Sequence, residues 1–248
     1  MQRKDSGMRR SVFLVGCLAL LVGCPAPKPA EPVRPKTVEP RPLAKESRPD
    51  LPQADFLGAW TMNDDQGQPF DIILFPNGQA VSTWAKGATG AHGERGLWRT
   101  GPDGVTVFFH DGWTDRINVQ GSEFFHEGFS PDRLPGAAPS NKSTASRVDG
   151  DRAGFVGIWR LNKEPDGNYL YATLQSSGRA FSTLNGEGTW KVTAEGALCT
   201  WSDGWNDLIF RTSQGFQKRA WVGTDSNATP PDLSEAVRVG ESRFVVSP

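Results

Sequence analysis

The chain has 248 residues, 37% of them hydrophobic and 22% charged, with a formal net charge of −1. A charge so near zero gives no reason to expect nucleic-acid binding, which needs a basic surface. Cysteine is confined to Cys17, Cys24 and Cys199.

The N-terminus reads as a signal rather than as structure. Arg3, Lys4, Arg9 and Arg10 make a positive n-region, and residues 12–22 form an apolar run too short to span a bilayer as a helix. The run ends in Leu21-Val22-Gly23-Cys24. This motif resembles the lipobox of bacterial lipoproteins. The resemblance implies a signal peptide over 1–23, cleavage before Cys24 and acylation of the Cys24 sulfur. An inner match, Leu14-Val15-Gly16-Cys17, leaves too little apolar sequence ahead of it. Two or three acyl chains, at about 0.8 kcal/mol per buried CH₂, would make attachment effectively permanent. The membrane is thus the first expected partner. In lipoproteins of this kind Asp after the cysteine marks inner-membrane retention; Pro25 stands there, so outer-membrane sorting, on the periplasmic or surface face, is expected.

Residues 24–54 hold the lipidated cysteine and a Pro-, Lys- and Glu-rich linker, nearly free of large apolar side chains. Such a stretch cannot bury enough surface to fold. At about 3.1 Å per residue in polyproline II, some 30 residues reach on the order of 90 Å. With Cys17 removed and Cys24 acylated, Cys199 is left without a disulfide partner, and its place in the repeat suits a small buried hydrophobe.

The remainder is one β-rich unit written twice, over 55–149 and 155–240. Phe56-Leu57-Gly58-Ala59-Trp60 matches Phe155-Val156-Gly157-Ile158-Trp159, and Asp111-Gly112-Trp113-Thr114-Asp115 matches Asp203-Gly204-Trp205-Asn206-Asp207. Gly96-Leu97-Trp98 matches Gly188-Thr189-Trp190, and the ends agree at Arg147 and Arg238. About ninety residues per copy suits two compact domains rather than a solenoid, joined by a polar hinge at 149–154. Turn signals recur every eight to twelve residues and no helical period is sustained. The expected fold is all-β: two tandem small antiparallel barrels or sandwiches, of six to eight strands each.

The Asp-Gly-Trp hairpin fixes a register. A three-residue loop His110-Asp111-Gly112, with Gly112 in the left-handed region, pairs Phe109 with Trp113. One face then collects Val105, Val107, Phe109, Trp113, Asp115, Ile117 and Val119. The second copy collects Ala197, Cys199, Trp201, Trp205, Asp207, Ile209 and Arg211. Each domain is therefore expected to point one carboxylate inward, where it needs a hydrogen-bond or charge partner.

A Gly-x-Trp on the first strand, a meander of hairpins and a late arginine are together similar to the calycin plan of lipocalins and avidins. There the tryptophan closes one end of the barrel and the arginine packs on it. The pairs this implies are Trp60 with Arg147 and Trp159 with Arg238. The units are shorter than lipocalins and carry no biotin-site pattern.

No catalytic constellation emerges. His110 matches Ser202 and His126 matches Lys218, and His92 lies in the Gly/Ala-rich insertion 85–93 that the second copy lacks. Their spacing gives no support for a metal. Asp111, Asp115, Asp203 and Asp207 supply too few oxygens per loop for calcium. No metal or cofactor is expected, and no enzyme activity. Trp60/Trp159, Trp98/Trp190 and Trp113/Trp205 pair between copies, whereas Trp84, Trp201 and Trp221 have no tryptophan counterpart. An exposed tryptophan beside polar groups suits a sugar ring or a flat apolar ligand. The candidate binding residues are Trp84, Trp113, Asp115, Trp205 and Asp207. The expected role is non-catalytic binding or envelope scaffolding, toward a small-molecule, glycan or protein partner. The alternatives are a lipocalin-like carrier of a small hydrophobic or saccharide ligand, and an envelope hydrolase. The insertion 85–93 makes the first domain the better binding mouth.

Overall fold

The computed structural model describes residues 49–84, 93–133, 136–163, 167–224 and 232–241. The signal peptide, Cys24, most of the proline-rich linker, residues 85–92 and His92 lie outside the described residues. No described helix is long and apolar enough to cross a membrane.

Both repeats are closed antiparallel barrels of eight strands in simple up-and-down order. The first holds β1 (Gly58–Asn63), β2 (Pro69–Leu74), β3 (Gln79–Ser82), β4 (Glu94–Gly101), β5 (Gly104–Phe109), β6 (Thr114–Gln120), β7 (Glu123–Phe129) and β8 (Asn141–Arg147). A one-turn helix, α1 (Gly150–Ala153), occupies the expected hinge. The second barrel holds β9 (Gly157–Lys163), β10 (Tyr169–Leu174), β11 (Arg179–Ser182), β12 (Gly186–Val192), β13 (Ala197–Trp201), β14 (Trp205–Thr212), β15 (Gly215–Val222) and β16 (Asp232–Arg238). Closure joins β8 to β1 through Trp60↔Arg147, and β16 to β9 through Arg238↔Trp159.

Period-two alternation decides what each strand buries. On β5 and β6, Val105, Val107, Phe109, Asp115 and Ile117 are buried while Phe108 is 40% exposed. The hairpin between them has the expected three-residue loop. The Phe109 N–H donates to the Trp113 carbonyl at 2.9 Å, the Gly112 N–H donates to the Phe109 carbonyl at 3.1 Å, and Gly112 has φ 92°. That register sends Asp115, and by the same logic Asp207, into the barrels.

One end of each barrel is sealed by aromatic packing. Trp60 and Phe124 meet edge to face at 4.7 Å, as do Trp159 and Phe216 at 4.8 Å. The Arg147 guanidinium lies 4.7 Å from the centre of the Trp60 ring and donates to the carbonyls of Leu57 and Asp55. Arg238 is paired with Trp159 by register and donates to the carbonyls of Ala153 and Val156, but its guanidinium lies over the Phe75 ring of the first barrel, 5.6 Å from the ring centre. Burial lowers its pKa to about 10. The structured part also starts ahead of the repeat, since the Leu51 N–H donates to the Gly101 carbonyl at 3.0 Å and Leu51 packs on the first core.

The barrels share a buried contact. Ala59, Ile73, Phe75 and Val81, on the outer face of the first, belong to the same apolar cluster as Val156, Ile158 and Leu174 of the second. Within it lies Asp71, fully buried. Its Oδ2 accepts from the Ser176 N–H of the second barrel at 2.8 Å, and Thr83 Oγ1 lies 3.4 Å from the same oxygen. Burial raises the Asp71 carboxyl above the ordinary range, and the Ser176 and Thr83 donors pull the other way.

Candidate functional site

Strand direction puts the described ends of four connections of the first barrel at the end opposite Trp60: 64–68, 83–84 and 93, 110–113, and 130–133 and 136–140. Between them lies a cavity of about 270 Å³. Its wall includes Asp64, Trp84, Glu94, Phe109, Asp111 and Trp113, and its floor Phe70, Asp115 and His126. Three of the five residues singled out in the sequence, Trp84, Trp113 and Asp115, thus share one cavity. The segment 85–92 is outside the described residues, but its flanks Trp84 and Glu94 both line the cavity.

The two tryptophans form a tilted pair, ring centres 6.2 Å apart and planes at 44°. Trp84 Nε1 donates to Asp64 Oδ2 at 3.3 Å. Asp64 is itself fixed, because its Oδ1 accepts from the Gln66 and Gln68 N–H groups at 2.9 and 2.8 Å. Asp111 Oδ1 accepts from the Trp113 N–H at 3.0 Å, tying that ring's backbone to the hairpin loop.

The floor is a polar relay. Asp115 Oδ1 lies 3.2 Å from His126 Nε2, and His126 Nδ1 lies 3.4 Å from Ser143 Oγ. His126 is 1% exposed, and the Asp115 oxygen sits off its N–H axis, so Nε2 has no in-line acceptor. Ser143 Oγ in turn accepts from the Asn63 N–H at 3.2 Å, across the seam between β1 and β8. Asn141 Nδ2 donates to the Asn63 carbonyl at 2.9 Å, so side chains stitch the seam where the backbone ladder ends. The order matters chemically. A serine–histidine–aspartate array acts as a nucleophile only when its hydroxyl faces the substrate space. Here the carboxylate lines the cavity and the hydroxyl is turned to the seam.

The second barrel treats the equivalent end differently. Its connection 183–185 has three residues where the first has eleven at 83–93. Trp201 stands in the place of Phe109, 3% exposed, and its Nε1 donates to Asp207 Oδ2 at 2.8 Å. Gly188 makes room for it, since a Cβ there would sit 2.7 Å from the Trp201 ring. Lys218, in the place of His126, brings Nζ to 2.9 Å from Asp232, 3.1 Å from Asn162 and 3.8 Å from Asp207. Burial pushes the Asp207 carboxyl up, while Lys218 and the Trp201 donor oppose the rise. Asp207 is thus engaged inside the barrel, and Trp205 sits at the rim, 39% exposed. An eight-stranded barrel has an interior just wide enough for side chains to fill, and tryptophan in place of phenylalanine at this position fills more of it.

Sequence reasoning missed His126, Phe70 and Asp64. The signal for His126 was present: it shares a register position with Lys218, one titratable side chain exchanged for another. Among the described residues no group of three or more His, Cys, Asp or Glu is arranged to hold a metal ion.

Fold and site together define a duplicated eight-stranded meander barrel with, among the described residues, an open, acidic, tryptophan-lined mouth on the first copy. No protein-family model matches the chain, no curated protein matches it, and no solved structure matches it.

Proposed function

We propose that this is a lipid-anchored protein of the bacterial cell envelope, whose first barrel binds a small ligand in its mouth and whose second barrel is a packed scaffold. The observation that carries the reading is the contrast between the copies: an open cavity with a tryptophan pair in one, and Trp201 in the corresponding place in the other. A largely pre-formed concave site with a few convergent polar groups is the usual form of a small-molecule site. The Arg147–Trp60 packing supports a calycin-like plan, in which such a mouth holds an apolar or saccharide ligand. Binding is favoured over hydrolysis by the direction of the Asp115–His126–Ser143 relay, which turns its hydroxyl from the cavity.

Two measurements test the reading. Small-molecule extracts of the cell envelope should change the intrinsic fluorescence of Trp84 and Trp113, and Phe109→Trp should abolish binding measured by calorimetry. Binding that survives Phe109→Trp at full affinity would place the ligand elsewhere. The anchor reading predicts that Cys24→Ala moves the protein from the membrane to the soluble fraction; continued retention would refute it.

A further inference from the structure

We infer that the ligand of the first barrel is an organic cation: a protonated amine or quaternary ammonium on a compact apolar body. The inference rests on the small-ligand reading above and names its chemistry. The described lining carries five carboxylates, Asp64, Asp65, Glu94, Asp111 and Asp115, and no lysine or arginine among the described residues. The tryptophan pair supplies ring faces, and a cation within about 6 Å of a tryptophan face is attracted by the ring's quadrupole. At the base, the carboxylate of Asp115 points into the space, backed by a buried imidazole whose Nε2 has no in-line acceptor.

The second copy provides the independent argument. There the inward aspartate serves an ammonium the chain itself supplies. Lys218 Nζ is held by Asp207, Asp232 and Asn162. The first barrel keeps that aspartate as Asp115 but replaces the lysine by His126 and the second carboxylate by Asn141. It also opens the space above by placing Phe109 where Trp201 stands. The duplicated plan is a carboxylate floor for an ammonium; one copy carries its own cation there, and among the described lining residues of the other no lysine or arginine takes that place. Asp115 meets only an imidazole that lies 3.2 Å away and off its N–H axis, a weaker partner than the ammonium of the second copy, so the same pressure that placed Lys218 favours a cation over Asp115.

The probes are benzylammonium, benzyl alcohol and benzoate, close in shape and different in charge, titrated into the full-length protein by calorimetry and tryptophan fluorescence. Benzylammonium should bind more than tenfold tighter than benzyl alcohol, and benzoate weakest. Asp115→Asn should cut benzylammonium affinity at least tenfold and benzyl alcohol affinity by a clearly smaller factor. His126→Lys copies the side chain already accommodated in the second barrel. It should weaken benzylammonium at least tenfold more than benzyl alcohol, with a native near-ultraviolet spectrum. Benzyl alcohol or benzoate binding as tightly as benzylammonium would overturn the cation inference and leave the small-ligand reading standing. Unaltered benzylammonium binding by folded His126→Lys would overturn it too. If none of the three binds, the cation inference falls, and the small-ligand reading stands or falls on the envelope-extract titration.

Discussion

Phe109 and Trp201 occupy one position of the repeat, each paired across its ladder with a glycine, Gly96 or Gly188. Because both glycines are present, the first barrel already has the backbone clearance that a tryptophan uses in the second. Phe109→Trp should therefore be accepted at a cost within about 1.5 kcal/mol, in the range of tolerated core swaps, and should fill the cavity. The reverse exchange is not symmetric. Trp201→Phe removes the donor that satisfies Asp207 and leaves a void, so it should cost about 2–4 kcal/mol. Urea unfolding of the two variants tests the asymmetry; equal costs would contradict it.

Asp71 links the barrels rather than either core. It accepts from Ser176 across the interface, where Ile73 and Phe75 join the second barrel's apolar cluster. Asp71→Ala would leave the part-buried Ser176 N–H without its acceptor, a loss of about 1–3 kcal/mol. The wild-type barrels should melt in one calorimetric transition, and Asp71→Ala should broaden or split it. Two separate transitions in the wild type would show that the interface does not couple them.

At the sealed end, Arg147 combines ring stacking on Trp60 with hydrogen bonds to two backbone carbonyls. Arg147→Lys keeps the charge but loses the planar fork that makes both kinds of contact. The lysine variant should lose about 1–2 kcal/mol, close to the alanine variant, given net values near 1 kcal/mol per contact. Lysine restoring full stability in thermal unfolding would mean that charge alone matters there.

The repeat made the fold legible because duplicated residues are those that folding demands. Gly112 allows one loop length, that length fixes the register, and the register sends Asp115 and Asp207 inward. Period-two alternation could not say whether the strands closed, because Trp60↔Arg147 joins residues from opposite ends of the repeat. The site was legible only in part for the same reason. Trp84, Trp113 and Asp115 could be read as candidates by type, but their convergence depends on which connections share a barrel end. Phe109 looked like one more core residue; only the packed partner copy shows that its smaller ring leaves space. Asp71 sits where alternation alone assigns an outward, solvated carboxylate; the second barrel buries it, and nothing in the local sequence encodes that contact.

Lys218 and Asp207 carry the last prediction. Lys218 is 2% exposed and holds the buried Asp207 together with Asp232. Lys218→Met should cost about 3–5 kcal/mol at neutral pH, the penalty for leaving a buried charge without its partner. The pH dependence has a definite sign. Burial already raises the Asp207 carboxyl in the folded state, and removing the ammonium that opposes this raises it further. A group that binds its proton more tightly when folded makes stability rise as pH falls toward the unfolded value. The deficit of Lys218→Met should therefore be largest at pH 7 and shrink toward pH 4.5, as protonation removes the unpaired charge. Urea midpoints of both proteins at the two pH values check this, and a deficit that stays constant or grows on acidification would mean that Lys218 stabilises by packing and not by its charge.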